Sequence, residues 1–193
     1  AGWLSTVSDS AVRALDLQLL LDLLAIETDP ERWRDVADVA VLHYEDLALV
    51  GDFEGALQIV TVIVAERDKE TPNAAAAAVA IERMVAGTRS ADLKSMDDQS
   101  FGYVKRISSL FGPVAVPPLA EALSVEENAR TRQRLTELLV GFGAGGQQAV
   151  ERLKNSANPA VRRTAVYLLR EFGGSGALPE LTTLLDDAEP HVQ

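Results

Sequence analysis

The sequence predicts an all-α fold, an α-α superhelix in which antiparallel helix pairs stack as a solenoid, and three observations carry that expectation. First, three Phe-Gly pairs, Phe111-Gly112, Phe142-Gly143 and Phe172-Gly173, follow one another at intervals of 31 and 30 residues. Second, apolar positions recur around them: Val104, Leu135 and Ala165, then Ile107, Leu138 and Leu168 before each pair, and Leu119, Val150 and Leu181 after it. Third, hydrophobic residues make up 47% of the 193 residues and aromatics only 5%, so Ala, Leu and Val must fill the core, as they do between tightly stacked helices.

Taken along the chain, the first element is a helix over about 10–27, apolar nearly all round (Val12, Leu15, Leu17, Leu19, Leu20, Leu21, Leu23, Leu24, Ile26). That pattern suits a helix covered on several sides, either central in the fold or in an oligomer interface. Asp29-Pro30 supplies a cap and a first-turn proline for a second helix reaching about Val50. Trp33, Val36, Ala37, Ala40, Tyr44 and Leu47 share one side of it, and Glu31, Asp35, Asp38, Glu45 and Asp46 the other. Gly51-Asp52 ends it, a third helix runs from Phe53 to about Arg67, and Thr71-Pro72 opens a fourth through Ala74–Ala78. The stretch 87–99, rich in Ser and Asp, separates an acidic helical region, 1–96, from the repeats of 97–193.

Within each repeat the local chemistry agrees with helix, glycine turn, shorter helix. Asp97, Asn128 and Asn158 occupy equivalent cap positions, and Pro159 fits a first helical turn, where a missing N–H costs nothing. Glycine after each Phe suits the end of a helix, and the Phe can fold onto the facing helix. A single pair buries only one face, so such units come in runs.

The run Asn158-Pro159-Ala160-Val161-Arg162, followed by Ala165-Val166-Tyr167-Leu168-Leu169, Phe172-Gly173 and Ala177-Leu178-Pro179-Glu180-Leu181, resembles the HEAT-like repeat of phycobilisome lyases. The resemblance covers about 97–193, with three copies and the start of a fourth, and implies that the repeat continues past Gln193 in a longer natural protein. It implies a binding scaffold, and less directly a chromophore-lyase-like enzyme. Gly51, Phe53 and Ala56 together resemble the turn of a tetratricopeptide repeat, which implies a helical hairpin there.

Charge narrows the partners. Residues 1–98 hold 19 acidic and 8 basic side chains, a net −11, while 99–193 hold 10 of each. Such a chain repels phosphate backbones and anionic bilayers, so neither nucleic acid nor a membrane is an expected partner. No apolar run approaches the roughly 20 residues of a spanning helix. No cysteine is present, which excludes disulfides and thiolate sites, and a cytoplasmic location is expected.

Chemical motifs fare poorly against their context. Gly141-Phe142-Gly143-Ala144-Gly145-Gly146 matches G-x-G-x-x-G, but a dinucleotide site needs those glycines between a strand and a helix, and here they stand at the repeat's turn. His43 and Asp46 are one turn apart, yet zinc needs three or four ligands and no third is identifiable. No catalytic, cofactor or metal residue is therefore expected. Arg132 and Arg162 recur at equivalent positions, more simply as a ladder of contacts to acids or carbonyls between units than as an anion-binding stripe.

The expected function is a non-catalytic protein–protein interaction scaffold. The second helices of the repeats, within 114–123, 146–154 and 176–185, would line a groove whose exposed polar residues are Glu121, Gln148, Glu151, Arg152, Glu180 and Thr183. The alternative is a regulatory module that packs on other domains of the same polypeptide, suggested by the apolar first helix. Self-association is also open.

Overall fold

The computed structural model describes residues 9–87 and 93–173, and every regular element among them is helical. This is an all-α helical repeat fold. The chain divides into two compact units, 1–87 and 88–193. No helix among the described residues is long and apolar enough to cross a membrane.

The first unit contains α1 (Asp9–Ile26), α2 (Pro30–Val50), α3 (Phe53–Arg67) and α4 (Ala74–Gly87). Local side chains set the boundaries. The Asp29 carboxylate accepts from the N–H groups of Glu31 and Arg32 at 3.1 and 3.0 Å and so starts α2. Gly51 ends α2 in the left-handed conformation, φ 81°, and the N–H groups of Gly51 and Asp52 return to the carbonyls of Ala48 and Leu47. Asp52 then caps α3 through the Gly55 N–H at 3.0 Å.

Helices α2, α3 and α4 pack mutually, and α1 lies on α2 and α3. Their core holds Trp33, Ile59, Ile63, Ile81 and Met84, all at most 2% exposed. The second helix divides as its spacing predicts: Trp33, Ala37, Ala40, Tyr44 and Leu47 are buried, Val36 is half-buried, and all five acids of the opposite side are exposed. The first helix does not. Over its residues 12–26 only Leu17, Leu20 and Leu24 are buried, and the other apolar side chains mostly face outward, so α1 is peripheral in its own unit rather than central.

Helix α4 begins two residues later than Thr71-Pro72 suggests, because that corner serves the preceding helix. Glu66, the 8% exposed acid near the end of α3, accepts from the Thr71 hydroxyl at 2.6 Å and the Lys69 ammonium at 2.9 Å. The Thr71 hydrogen bond chiefly, with Lys69 and Asn73 adding, holds the Glu66 carboxyl below its usual 4.5 against the opposing effect of burial. A folded-state pKa below the unfolded one gives stability that is complete above the unfolded value and lost as pH falls through the folded value. Glu66→Gln is therefore expected to cost about 1 kcal/mol near neutrality. Urea unfolding should show that deficit shrinking once the pH drops below the ordinary carboxylate range, and a deficit independent of pH would refute the ionic account.

The second unit contains α5 (Asp98–Phe111), a 3₁₀ turn (Gly112–Ala115), α6 (Val116–Val125), α7 (Ala129–Gly141), α8 (Gly143–Leu153) and α9 (Pro159–Gly173). All three expected caps form: Asp97 accepts from Ser100 N–H at 2.7 Å, Asn128 from Thr131 N–H at 3.1 Å, and Asn158 from Ala160 N–H at 2.9 Å. The first helices pack in order, α5 on α7 and α7 on α9, and the second helices α6 and α8 pack on each other. Helix α9 meets both α6 and α8, so the unit is tighter than a stack in which each pair touches only its neighbour. The second helix of the third copy lies outside the described residues.

The core of this unit follows the repeat: Leu135, Ala165, Leu138, Leu168, Ile107 and Val150 are buried, and Phe142 and Phe172 pack at its edge. Leu93, before the first repeat in sequence, belongs to the same core. The glycine-rich turn contributes a close approach. A Cβ at Gly146 would stand 2.6 Å from the Cβ of Phe142 and 3.2 Å from the ring of Phe172. Helix propensity favours alanine over glycine by about 1 kcal/mol, but overpacking costs about 1–3 kcal/mol and the obstructing Cβ cannot swing away. Gly146→Ala should lower stability by about 1–2 kcal/mol, read as a lower urea midpoint at unchanged slope.

Candidate functional site

The repeat stack spends its recurring arginines on itself. Arg132 donates to the Glu126 carbonyl at 2.9 Å and the Leu123 carbonyl at 3.3 Å, and Arg162 donates to the Ser156 carbonyl at 2.9 Å and the Ala157 carbonyl at 3.4 Å. Arg132 reaches back to the end of α6, where a helix end leaves acceptors unpaired, and Arg162 to the turn that leads into its own helix. Arg132 therefore caps α6 from the next copy, whereas Arg162 braces the turn before α9, and both are engaged with carbonyls.

The second helices carry the exposed polar residues. On α6, Pro117, Glu121 and Val125 form an exposed line at spacing four, and on α8 Ala144, Gln148 and Arg152 do the same. A shift of 31 residues maps Glu121 onto Arg152 and Pro117 onto Gln148, so successive helices present opposite charges at one repeat position. Among the described residues, the side chains of Glu121, Gln148 and Arg152 make no hydrogen bond or ion pair, which leaves their polar atoms to solvent or to a partner. Glu180 and Thr183 lie outside the described residues.

Glu151 differs from its expected place: it is half-buried. The 31-residue shift explains why, since it maps Glu151 onto Ala120, which is wholly buried in α6. By the same shift, Gln147 and Lys154 stand where α6 has the buried Val116 and Leu123. Helix α8 with its capping residue thus carries a half-buried polar line, Gln147, Glu151 and Lys154, in place of an apolar one. Comparing the two copies position by position would have found it in the sequence.

The other residues weighed for chemistry sit in ordinary surroundings. His43 is half-buried on α2, its Nε2 enclosed and without a hydrogen-bond partner. The G-x-G-x-x-G run spans the end of α7 and the start of α8, so it follows a helix, with φ 56° at Gly143 making the turn. Nothing in that geometry aligns N–H groups after a strand, as a pyrophosphate cradle requires. No family model matches the chain, and no curated protein matches it in sequence.

Proposed function

We propose that this protein is a non-catalytic protein–protein interaction scaffold built of HEAT-like repeats, which uses the outer face of α6 and α8 to hold a partner. The observation that carries the reading is the division of labour among polar side chains. Asn128, Asn158, Arg132 and Arg162 are committed to caps and carbonyls that hold the stack, whereas Glu121, Gln148 and Arg152 project from the second helices with nothing to bind. A partner with a basic group facing Glu121 and an acidic one facing Arg152 would read that alternation. A cytoplasmic setting is part of this reading.

The test is an affinity pull-down from native lysate with the parent chain and with a Glu121→Lys, Arg152→Glu variant. Both substitutions fall on exposed positions and leave the core intact. A protein retained by the parent and lost by the variant supports the scaffold. Equal recovery by the two, or none by either, argues against this face.

A second reading, a regulatory module that packs on another domain of the same polypeptide, is favoured by one specific feature: the outward apolar side of α1.

A further inference from the structure

Helix α1 has two apolar faces and uses one of them within its own fold. Leu17, Leu20 and Leu24 are buried where α1 meets α2 and α3. Val12, Leu15, Leu19, Leu23 and Ile26 form a second strip, and they are 44%, 70%, 58%, 39% and 71% exposed. At about 100° per residue, that strip lies roughly 130° round the helix from the buried one. Isolated exposed leucines are ordinary on a protein surface, but five apolar side chains in line along one helix mark a surface built for contact. Their spacings of three, four, four and three are those of a straight helix presenting one side to another helix.

Charge selects the occupant. Asp16 and Asp22 are exposed and border the strip on its two sides, each about 60° from its midline. The Gln18 amide holds the Asp22 carboxylate at 2.8 Å without neutralising it. The unit behind them, 1–87, has 16 acidic and 6 basic residues, a net −10. A second copy docked on the strip would set one acidic unit against another, and an anionic bilayer would be repelled in the same way. We propose that the strip receives an amphipathic helix of a partner whose apolar face is flanked by lysine or arginine, with its cations against Asp16 and Asp22. Apolar contact supplies the affinity in this mode, and the bordering charges supply selection. The surface is distinct from the α6 and α8 face, so either can fail without the other.

The test titrates the whole chain with two labelled synthetic helices that share one leucine strip and differ only in their flanks, lysine in one and glutamate in the other. Fluorescence anisotropy should show the lysine peptide binding at least about tenfold more tightly, with an affinity that falls as salt is raised. Leu15→Gln with Leu19→Gln should abolish that binding while the circular dichroism spectrum is unchanged. The substitutions are neutral, so the loss reports the strip and not the overall field. Asp16→Asn with Asp22→Asn should shrink the preference between the peptides. Equal binding of both peptides, binding of neither, or binding that survives the leucine substitutions overturns the proposal. So does sedimentation showing a dimer of the parent that those substitutions convert to monomer, because the occupant would then be a second copy.

Discussion

Replacing Trp33 with alanine is expected to destabilise the first unit by about 3–5 kcal/mol, the range for removing a large aromatic from a packed core. Trp33 is fully buried, and its indole N–H donates to the Leu24 carbonyl at 3.1 Å. That carbonyl belongs to the last turn of α1, whose acceptors have no partner within the helix. One side chain thus fills the core beneath α1 and caps its end. Trp33→Phe separates the two roles: it keeps most of the volume and leaves the Leu24 carbonyl unpaired, at a cost of about 1–3 kcal/mol. Urea unfolding of the two variants checks the split. Equal losses would mean that the hydrogen bond accounts for the whole effect, and a negligible loss in the phenylalanine variant would mean that packing does.

The sequence discloses such features in proportion to how local their causes are. A cap joins a side chain to an N–H two or three residues on, and Asp29, Asn128 and Asn158 can be read directly because nothing distant decides them. The recurring Phe-Gly pairs disclose the second unit for a similar reason, since Gly112 and Gly143, with φ of 74° and 56°, each mark the turn from a first helix to its second. Tertiary choice is harder to read. Periodicity identifies Leu15 and Leu17 as equally apolar, but only packing decides that Leu17 meets α2 and α3 while Leu15 is left 70% exposed. On α2 the acids mark the outer side, yet Val39 and Leu42 share it at 56% and 57% exposed, which a count of charges does not foresee. At the candidate surface, exposure of Glu121, Gln148 and Arg152 follows from their position on a short helix with one buried line. Glu151 is misplaced when its polarity alone is read, because it occupies the position that the wholly buried Ala120 holds one copy earlier.

Arg134 is the clearest case of a residue whose role the repeat pattern hides, and its replacement by methionine is expected to cost about 2–4 kcal/mol. The recurring arginines, Arg132 and Arg162, draw the eye, whereas the position equivalent to Arg134 in the next copy is Thr164. Yet Arg134 is the buried one, with its side chain 6% exposed. Its guanidinium donates to the carbonyls of Leu93 at 2.8 Å and Met96 at 2.7 Å and to the Asp98 carboxylate at 2.8 Å, and it stacks 4.6 Å from the Phe101 ring centre. Two of its partners are 41 and 38 residues away in sequence, so no local motif could announce them. Methionine would fill much of the volume but leave the buried Leu93 carbonyl without its donor and the Met96 carbonyl with only the longer bond from Arg130 at 3.4 Å, and the unpaired Leu93 acceptor dominates the expected loss. The Asp98 contribution is minor, because that carboxylate is 96% exposed and solvent screens the pair. Asp98→Asn should accordingly cost well under about 1 kcal/mol. Lysine at 134 should recover little, since a single ammonium cannot reproduce a planar fork that serves two carbonyls and a carboxylate while lying over a ring. Thermal and urea unfolding of the methionine, lysine and Asp98→Asn variants would rank them. A lysine variant as stable as the parent would show that Arg134 acts only as a charge, and an Asp98→Asn loss as large as that of methionine would show that the ion pair, rather than the carbonyls, anchors the start of the repeat stack.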